Sequence, residues 1–169
     1  MIPLLQRWSD RANRVTEWAL VPIVAFFTIV LAVSVFSRYV FQLPIVTSIE
    51  LTRIAFVWAC FLGAAAGLKR RSHVRVVAFV NLLPARLQGW VPTFVHGAFL
   101  LFALLMVWHG WGLTARMFAT TLPTLGISQG WLYLALPVAG ALMALHALAA
   151  LLGREPVEAP SHEWEGGAS

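Results

Sequence analysis

The chain has 169 residues, 60% of them hydrophobic and 11% charged, with a formal net charge of +5 and a mean hydropathy of +0.79. A soluble domain is about half apolar and about a quarter charged, and one small core cannot hide this much apolar surface. An ordinary soluble fold is therefore excluded, and a multi-span membrane protein fits. The excess positive charge does not indicate nucleic acid, because the basic residues cluster at the ends of apolar runs. Cys60 is the single cysteine, so neither an intramolecular disulfide nor a two-cysteine redox motif is available.

Residues 1–16 place Leu4, Leu5, Trp8, Ala12 and Val15 at helical spacing, with Arg7, Arg11 and Arg14 on another face. The pattern suits a short amphipathic helix on a membrane surface or a frayed basic tail. The apolar run that follows carries no A-x-A-like cleavage site and reads as an uncleaved first span, about 18–36. Pro22 is expected in its first turns, and Thr28 and Ser34 can return hydrogen bonds to their own backbone. Arg38 ends the span, and Leu43-Pro44 makes an extended break. A second span is predicted over about 48–68, with Ser48 as N-cap and Glu50 in the first turn. Glu50 and Arg53 are i,i+3 neighbours, and Arg53 is expected to snorkel or to pair with Glu50. Gly63-Ala64-Ala65-Ala66-Gly67 is a GxxxG pattern that lets two helices approach closely.

Residues 69–88 form the main basic loop, in which Lys69, Arg70, Arg71 and Arg75 are candidate lipid-headgroup and topology residues. The apolar stretch 74–83 is too short to cross a bilayer and predicts a helix lying in the interface, with a short strand as the alternative. A third span is predicted over about 89–113, with Trp90 near one end and Trp108 and Trp111 near the other. The fourth covers about 130–152, with Trp131 and Tyr133 at its entry and Pro137 inside. The tail 153–169, rich in Glu, Pro, Gly and Ser, is expected to be disordered and cytoplasmic. The predicted class is thus an all-α membrane protein. It divides into an N-terminal amphipathic segment 1–16, a four-span domain 17–152 and the tail.

Nine of the twelve Lys and Arg residues fall on the side shared by both termini and the 69–88 loop, against Arg38 and Arg116 on the other, which predicts cytoplasmic termini. No nucleophile, acid–base pair, metal cluster or phosphate-binding loop is recognisable, so no enzymatic activity and no cofactor are expected. His96, His109 and His146 lie singly on apolar helices, where a histidine is more often hydrogen-bonded to a neighbour than a ligand. The rival readings are a stand-alone four-span protein with a haem or quinol site at these histidines, and a self-assembling channel.

Several short motifs occur in a characteristic order. They are Ser37-Arg38-Tyr39-Val40-Phe41, Pro44-Ile45, Glu50-Leu51, Arg53, Phe56-Val57-Trp58 and Phe61-Leu62-Gly63-Ala64-Ala65. His73-Val74-Arg75-Val76, Leu82-Leu83-Pro84, Leu122-Pro123-Thr124-Leu125-Gly126-Ile127, Trp131-Leu132-Tyr133 and Pro137-Val138 follow. Together they resemble the small membrane subunit (DctQ type) of tripartite ATP-independent periplasmic, or TRAP, transporters. The resemblance implies a four-span subunit of a bacterial inner membrane. It implies as partners a large multi-span permease subunit and a periplasmic substrate-binding protein, besides membrane lipids. It also implies uptake of an organic acid on an ion gradient, usually sodium, with the small subunit bracing the large one. Arg38, Glu50, Arg53, Gly63 and Gly67 become candidate subunit-contact or structural residues. The chain departs from the family pattern at Thr47 and Ile49, where many members carry a tryptophan and an acid, and at Val77, where many carry an acid.

Overall fold

The computed structural model describes residues 2–71 and 91–153. Within them the chain forms α1 (Ile2–Val40), α2 (Val46–Arg71), α3 (Val91–Met117), the short α4 (Gly130–Tyr133) and α5 (Ala135–Gly153). Leu134, between the last two, keeps right-handed helical angles (φ −59, ψ −24), so α4 and α5 follow one path. Four segments are long and apolar enough to cross a bilayer: Leu5–Val40, Val46–Lys69, Thr93–Met117 and Gly130–Leu152. The predicted all-α, four-span class is the observed one. The expected interfacial helix, Trp90, Arg75 and the tail from 154 onward lie outside the described residues.

The N-terminal segment and the first span are a single helix of 39 residues, about 58 Å long at 1.5 Å per residue. No breaker separates them. Thr16 donates to the Ala12 carbonyl (2.9 Å) and Asn13 to the Glu17 carboxylate (3.0 Å), both along the helix. Pro22 therefore lies inside a helix, not at its first turns, and removes one backbone bond to the carbonyl four residues earlier. Membrane helices tolerate such a gap where other groups satisfy the freed carbonyl. Thr28 returns its hydroxyl to the Val24 carbonyl at 2.7 Å, as expected.

The turn between α1 and α2 is closed by Ser37. Its carbonyl accepts from the N–H groups of Phe41 (3.1 Å) and Leu43 (3.3 Å), and its hydroxyl donates to the Leu43 carbonyl (2.8 Å). Gln42 reverses the chain with a φ of 56°. The helix α2 then starts two residues before Ser48, because the Ile45 carbonyl accepts from both the N–H (3.2 Å) and the hydroxyl (2.6 Å) of Ser48. Ser48 is consequently not the N-cap. Its oxygen lies 2.7 Å from that of Ser34 and ties α1 to α2.

The most extensive helix contacts join α3 to α5 and α1 to α2, and α5 also touches α2 and α1. Ala65 of α2, Ala103 of α3 and Met143 of α5 meet in the core, with Leu68, Met106 and Leu142 around them. Glycines on α3 and α5 let these two helices approach closely. A Cβ on Gly140 would lie 3.1 Å from the Ala103 carbonyl, and one on Gly110 would lie 3.2 Å from Leu136 and Pro137. A Cβ on Gly63 or Gly67 would meet nothing within 4 Å. Among the described residues the GxxxG glycines therefore make no close contact, while Ala65 and Ala66 between them are buried. Large apolar side chains of α1 such as Val21, Ile29 and Phe36 stay exposed, as suits surface that faces lipid or another protein.

Gly140→Val should overpack the α3–α5 contact and destabilise the chain by about 1–3 kcal/mol. A fluorescence melt of the detergent-solubilised chain should show a lower transition. Gly63→Val should leave that transition where it is.

Candidate functional site

Polar groups gather at the two ends of the bundle. At one end the chain leaves helix between α3 and α4, where each backbone group needs a partner if the site is dry. Residues 121–128 form a tight hairpin. Leu122 donates to Ile127 (2.8 Å), Gly126 to Leu122 (2.9 Å) and Gln129 to Thr120 (2.8 Å). Gly126 supplies the left-handed turn at a φ of 66°. The Ser128 hydroxyl donates to the Phe118 carbonyl (3.0 Å) and accepts from the N–H of Gly130 (3.0 Å).

The N–H groups at the hairpin tip turn to Glu50 on α2. Thr124 donates to its two carboxylate oxygens at 3.1 and 3.2 Å, and Leu125 to one of them at 2.8 Å. These are charge-assisted bonds to an acceptor-only group, shared between two donors. A second link lies deeper, where the Trp58 indole N–H donates to the Trp131 carbonyl at 3.0 Å. The Trp131 ring stands edge-on to Phe118, with centroids 6.1 Å apart. Glu50, Trp58 and the 122–127 and 131–133 motifs, separate in sequence, thus form one structure.

Arg53 lies near enough to attract Glu50 but forms no ion pair with it. The carboxylate oxygens are taken by backbone donors, and Arg53 is exposed on the groove between α1 and α2, which Arg38 also lines. Gly63 and Gly67 lie further along α2 with open space before them. Arg70 and Arg71 close α2, and Lys69 just before them is engaged within the chain.

That engagement forms the second constellation. The Lys69 ammonium donates to the Ser9 hydroxyl oxygen (2.9 Å) and forms an ion pair with Asp10. The Ser9 oxygen lies 2.8 Å from His146 Nδ1. An ammonium only donates, so Ser9 accepts from Lys69 and directs its own proton to Nδ1. His146 is then the neutral tautomer protonated on Nε2. The chain of bonds joins α1, α2 and α5, and both Ser9 and His146 are buried. The histidine is satisfied on one side by a neighbour, as expected. That the neighbour is Ser9 is invisible in the sequence, since 137 positions separate them. Nothing marks Ser9 as buried until α1 is known to extend through it. His109 is exposed on α3 beside Trp108 and Arg116. Among the described residues no three His, Cys, Asp or Glu side chains converge as a metal-binding group.

Residues 27–155 match the family described as tripartite ATP-independent periplasmic transporters, DctQ component. The chain belongs to this family. Over 136 residues this DctQ-family chain is 31% identical to the sialic acid TRAP transporter small permease protein SiaQ of Vibrio cholerae, covering 80% of this chain and 79% of that one. It is 31% identical over 134 residues to the sialic acid TRAP transporter permease protein SiaT of Haemophilus influenzae, covering 78% of this chain and 21% of that one. With the C4-dicarboxylate TRAP transporter small permease protein DctQ of V. cholerae it shares 30% identity over 115 residues, 66% of this chain and 50% of the other. The chain is accordingly a TRAP small permease component and a multi-pass protein of the bacterial inner membrane. Glu50, the hairpin it holds and His146 all fall inside the family match, whereas Ser9 and Asp10 precede it.

Glu50→Ala should release the hairpin tip. Hydrogen exchange at the Thr124 and Leu125 amides should speed up several-fold, with exchange in the α3–α5 core unchanged. At the other end, Ser9→Ala leaves His146 Nδ1 buried without its donor and should cost about 1–3 kcal/mol. Combined with His146→Leu, the loss should be clearly less than additive in a double-mutant cycle of melting transitions, with a coupling of about 0.5–3 kcal/mol.

Proposed function

We propose that this chain is the static brace of a TRAP transporter, holding a large permease subunit while that subunit moves its substrate. The observation that carries the reading is where the polar groups go. Glu50, Ser9, Lys69 and His146 are spent on fastening helices and a hairpin to each other, which makes a rigid body rather than a solute pathway. The apolar face of α1 and the open face at Gly63 and Gly67 are then available to a membrane partner. SiaT supports a large partner, since the match occupies 21% of its length and leaves the rest for other permease elements.

The driving force in this reading is an ion gradient, with sodium as the ion, and the cargo is an organic acid brought by a periplasmic binding protein. Two of the relatives are named for sialic acid and one for C4-dicarboxylates, all of them organic acids. Specificity resides in the other proteins of the transporter. The termini and Lys69 face the cytoplasm, and the Glu50 hairpin faces the periplasm, as the distribution of Lys and Arg favours.

Expression with and without a large TRAP permease subunit from the same organism tests the reading. The two chains should co-purify, uptake in proteoliposomes should require both, and the small chain alone should neither bind substrate nor conduct ions. Gly63→Leu should reduce co-purification without unfolding the chain. A haem absorbance band or ion conductance from the isolated chain would overturn the reading. Reporter fusions at Thr121 and Gly153 should give opposite sides of the membrane.

A further inference from the structure

A groove of about 500 Å³ runs between α1 and α2 on the hairpin side of the bundle. We propose that it binds one anionic phospholipid, with the phosphate held by Arg38 and Arg53 and an acyl chain laid along Leu31, Val35 and Phe56. The proposal goes beyond the bracing role and does not depend on the identity of the cargo.

The charge is the first argument. Both arginines line the groove, both are exposed, and no acidic side chain among the described residues lines it with them. Neither arginine forms an ion pair among the described residues; Glu50 attracts Arg53 at longer range while its oxygens accept from the hairpin. Arg53 feels the charge of Glu50 without forming an ion pair with it, and no acid lines the groove beside Arg38, so the mouth keeps a net positive charge that an anion would offset. Arg53 lies seven residues into α2, about 10 Å from its start by helical rise. From that depth its long side chain reaches toward the headgroup level, where phosphates are.

The hydroxyl floor is the second argument. Ser48 donates to the Ile45 carbonyl, so it accepts the proton of Ser34, and the pair is satisfied internally. Besides Tyr39 and Thr52, the groove therefore offers an incoming group two cations and an apolar wall. The wall extends from Arg38 down α1 to Leu31, about 10 Å by helical rise. A cationic mouth continuous with an apolar track matches a phospholipid, which carries both chemistries in one molecule. A carboxylate from a partner protein would use the mouth and leave the track empty.

The test uses the full chain, together with any subunit that co-purifies, in nanodiscs of equimolar phosphatidylglycerol and phosphatidylethanolamine. Native mass spectrometry after gentle extraction reads the retained lipid. The wild type should keep one phosphatidylglycerol per chain, enriched about tenfold over phosphatidylethanolamine. The double variant R38Q/R53Q should lose that enrichment, and R116Q, whose arginine lies outside the groove, should keep it. Val35→Trp, which fills the track and leaves both arginines, should also lose it, so the outcome does not hang on one variant folding. A photoreactive side chain at Ile49, on the groove wall, should cross-link to lipid. Equal retention of the two lipids by the wild type, loss of enrichment in R116Q, or cross-links from Ile49 to a protein instead of a lipid would overturn the proposal.

Discussion

Backbone that leaves helix near a membrane must find hydrogen-bond partners within the protein, and the architecture follows from where it finds them. The connection between α3 and α4 is the critical place. Its strand-like pair, its glycine turn and Ser128 satisfy most of its own groups. The two N–H groups at its tip are left over, and Glu50 takes both. One carboxylate thereby makes the third and fourth spans and the second into a single body at that end. The Ser9, Lys69 and His146 chain does the same at the other end, through α1.

Between these two fastenings the bundle is held by shape. Gly110 and Gly140 let α3 and α5 approach closely, and Ala65, Ala103 and Met143 fill the space where α2 joins them. Glu50, Ser9, Lys69 and His146 bind the chain to itself, and the exposed faces of α1 and around Gly63 and Gly67 are mainly apolar or small. A subunit built this way suits a role in which it stays still. Its outward faces on α1 and at Gly63 and Gly67 are then the surfaces on which a moving partner would be mounted.

The spans are legible in the sequence because nearly uncharged apolar runs of bilayer length cannot be hidden in a small soluble core, and the basic clusters mark their ends. Glu50 is legible as the sole acid near the mouth marked by Arg38 and Arg53, and the Leu122–Ile127 motif as a family feature. Their mutual contact is not, since no local pattern reports which backbone donors lack partners until the turn is formed. Of the two expectations for Arg53, snorkelling or pairing with Glu50, the i,i+3 spacing permits the second, but spacing cannot tell a carboxylate whose oxygens already accept from backbone donors from a free one. Ser48 reads as a cap, yet it lies inside the first turn, because α2 begins earlier and the Ile45 carbonyl becomes the first acceptor. Ser9 and Lys69 read as parts of a surface segment and a basic stop. The uninterrupted run of α1 brings the first to His146, and the end of α2 brings the second to Ser9 and Asp10.

The central claim is that the hairpin held at Glu50 does not move during transport. A short bis-thiol cross-linker between cysteines at Glu50 and Thr124, in a background where Cys60 is serine, would replace the hydrogen-bonded clasp with a covalent one. Uptake by the assembled transporter in proteoliposomes should be the same before and after cross-linking. Uptake abolished by the cross-linker in the double-cysteine protein, but not in either single-cysteine control, would show that this end of the subunit opens in the cycle and would contradict the account.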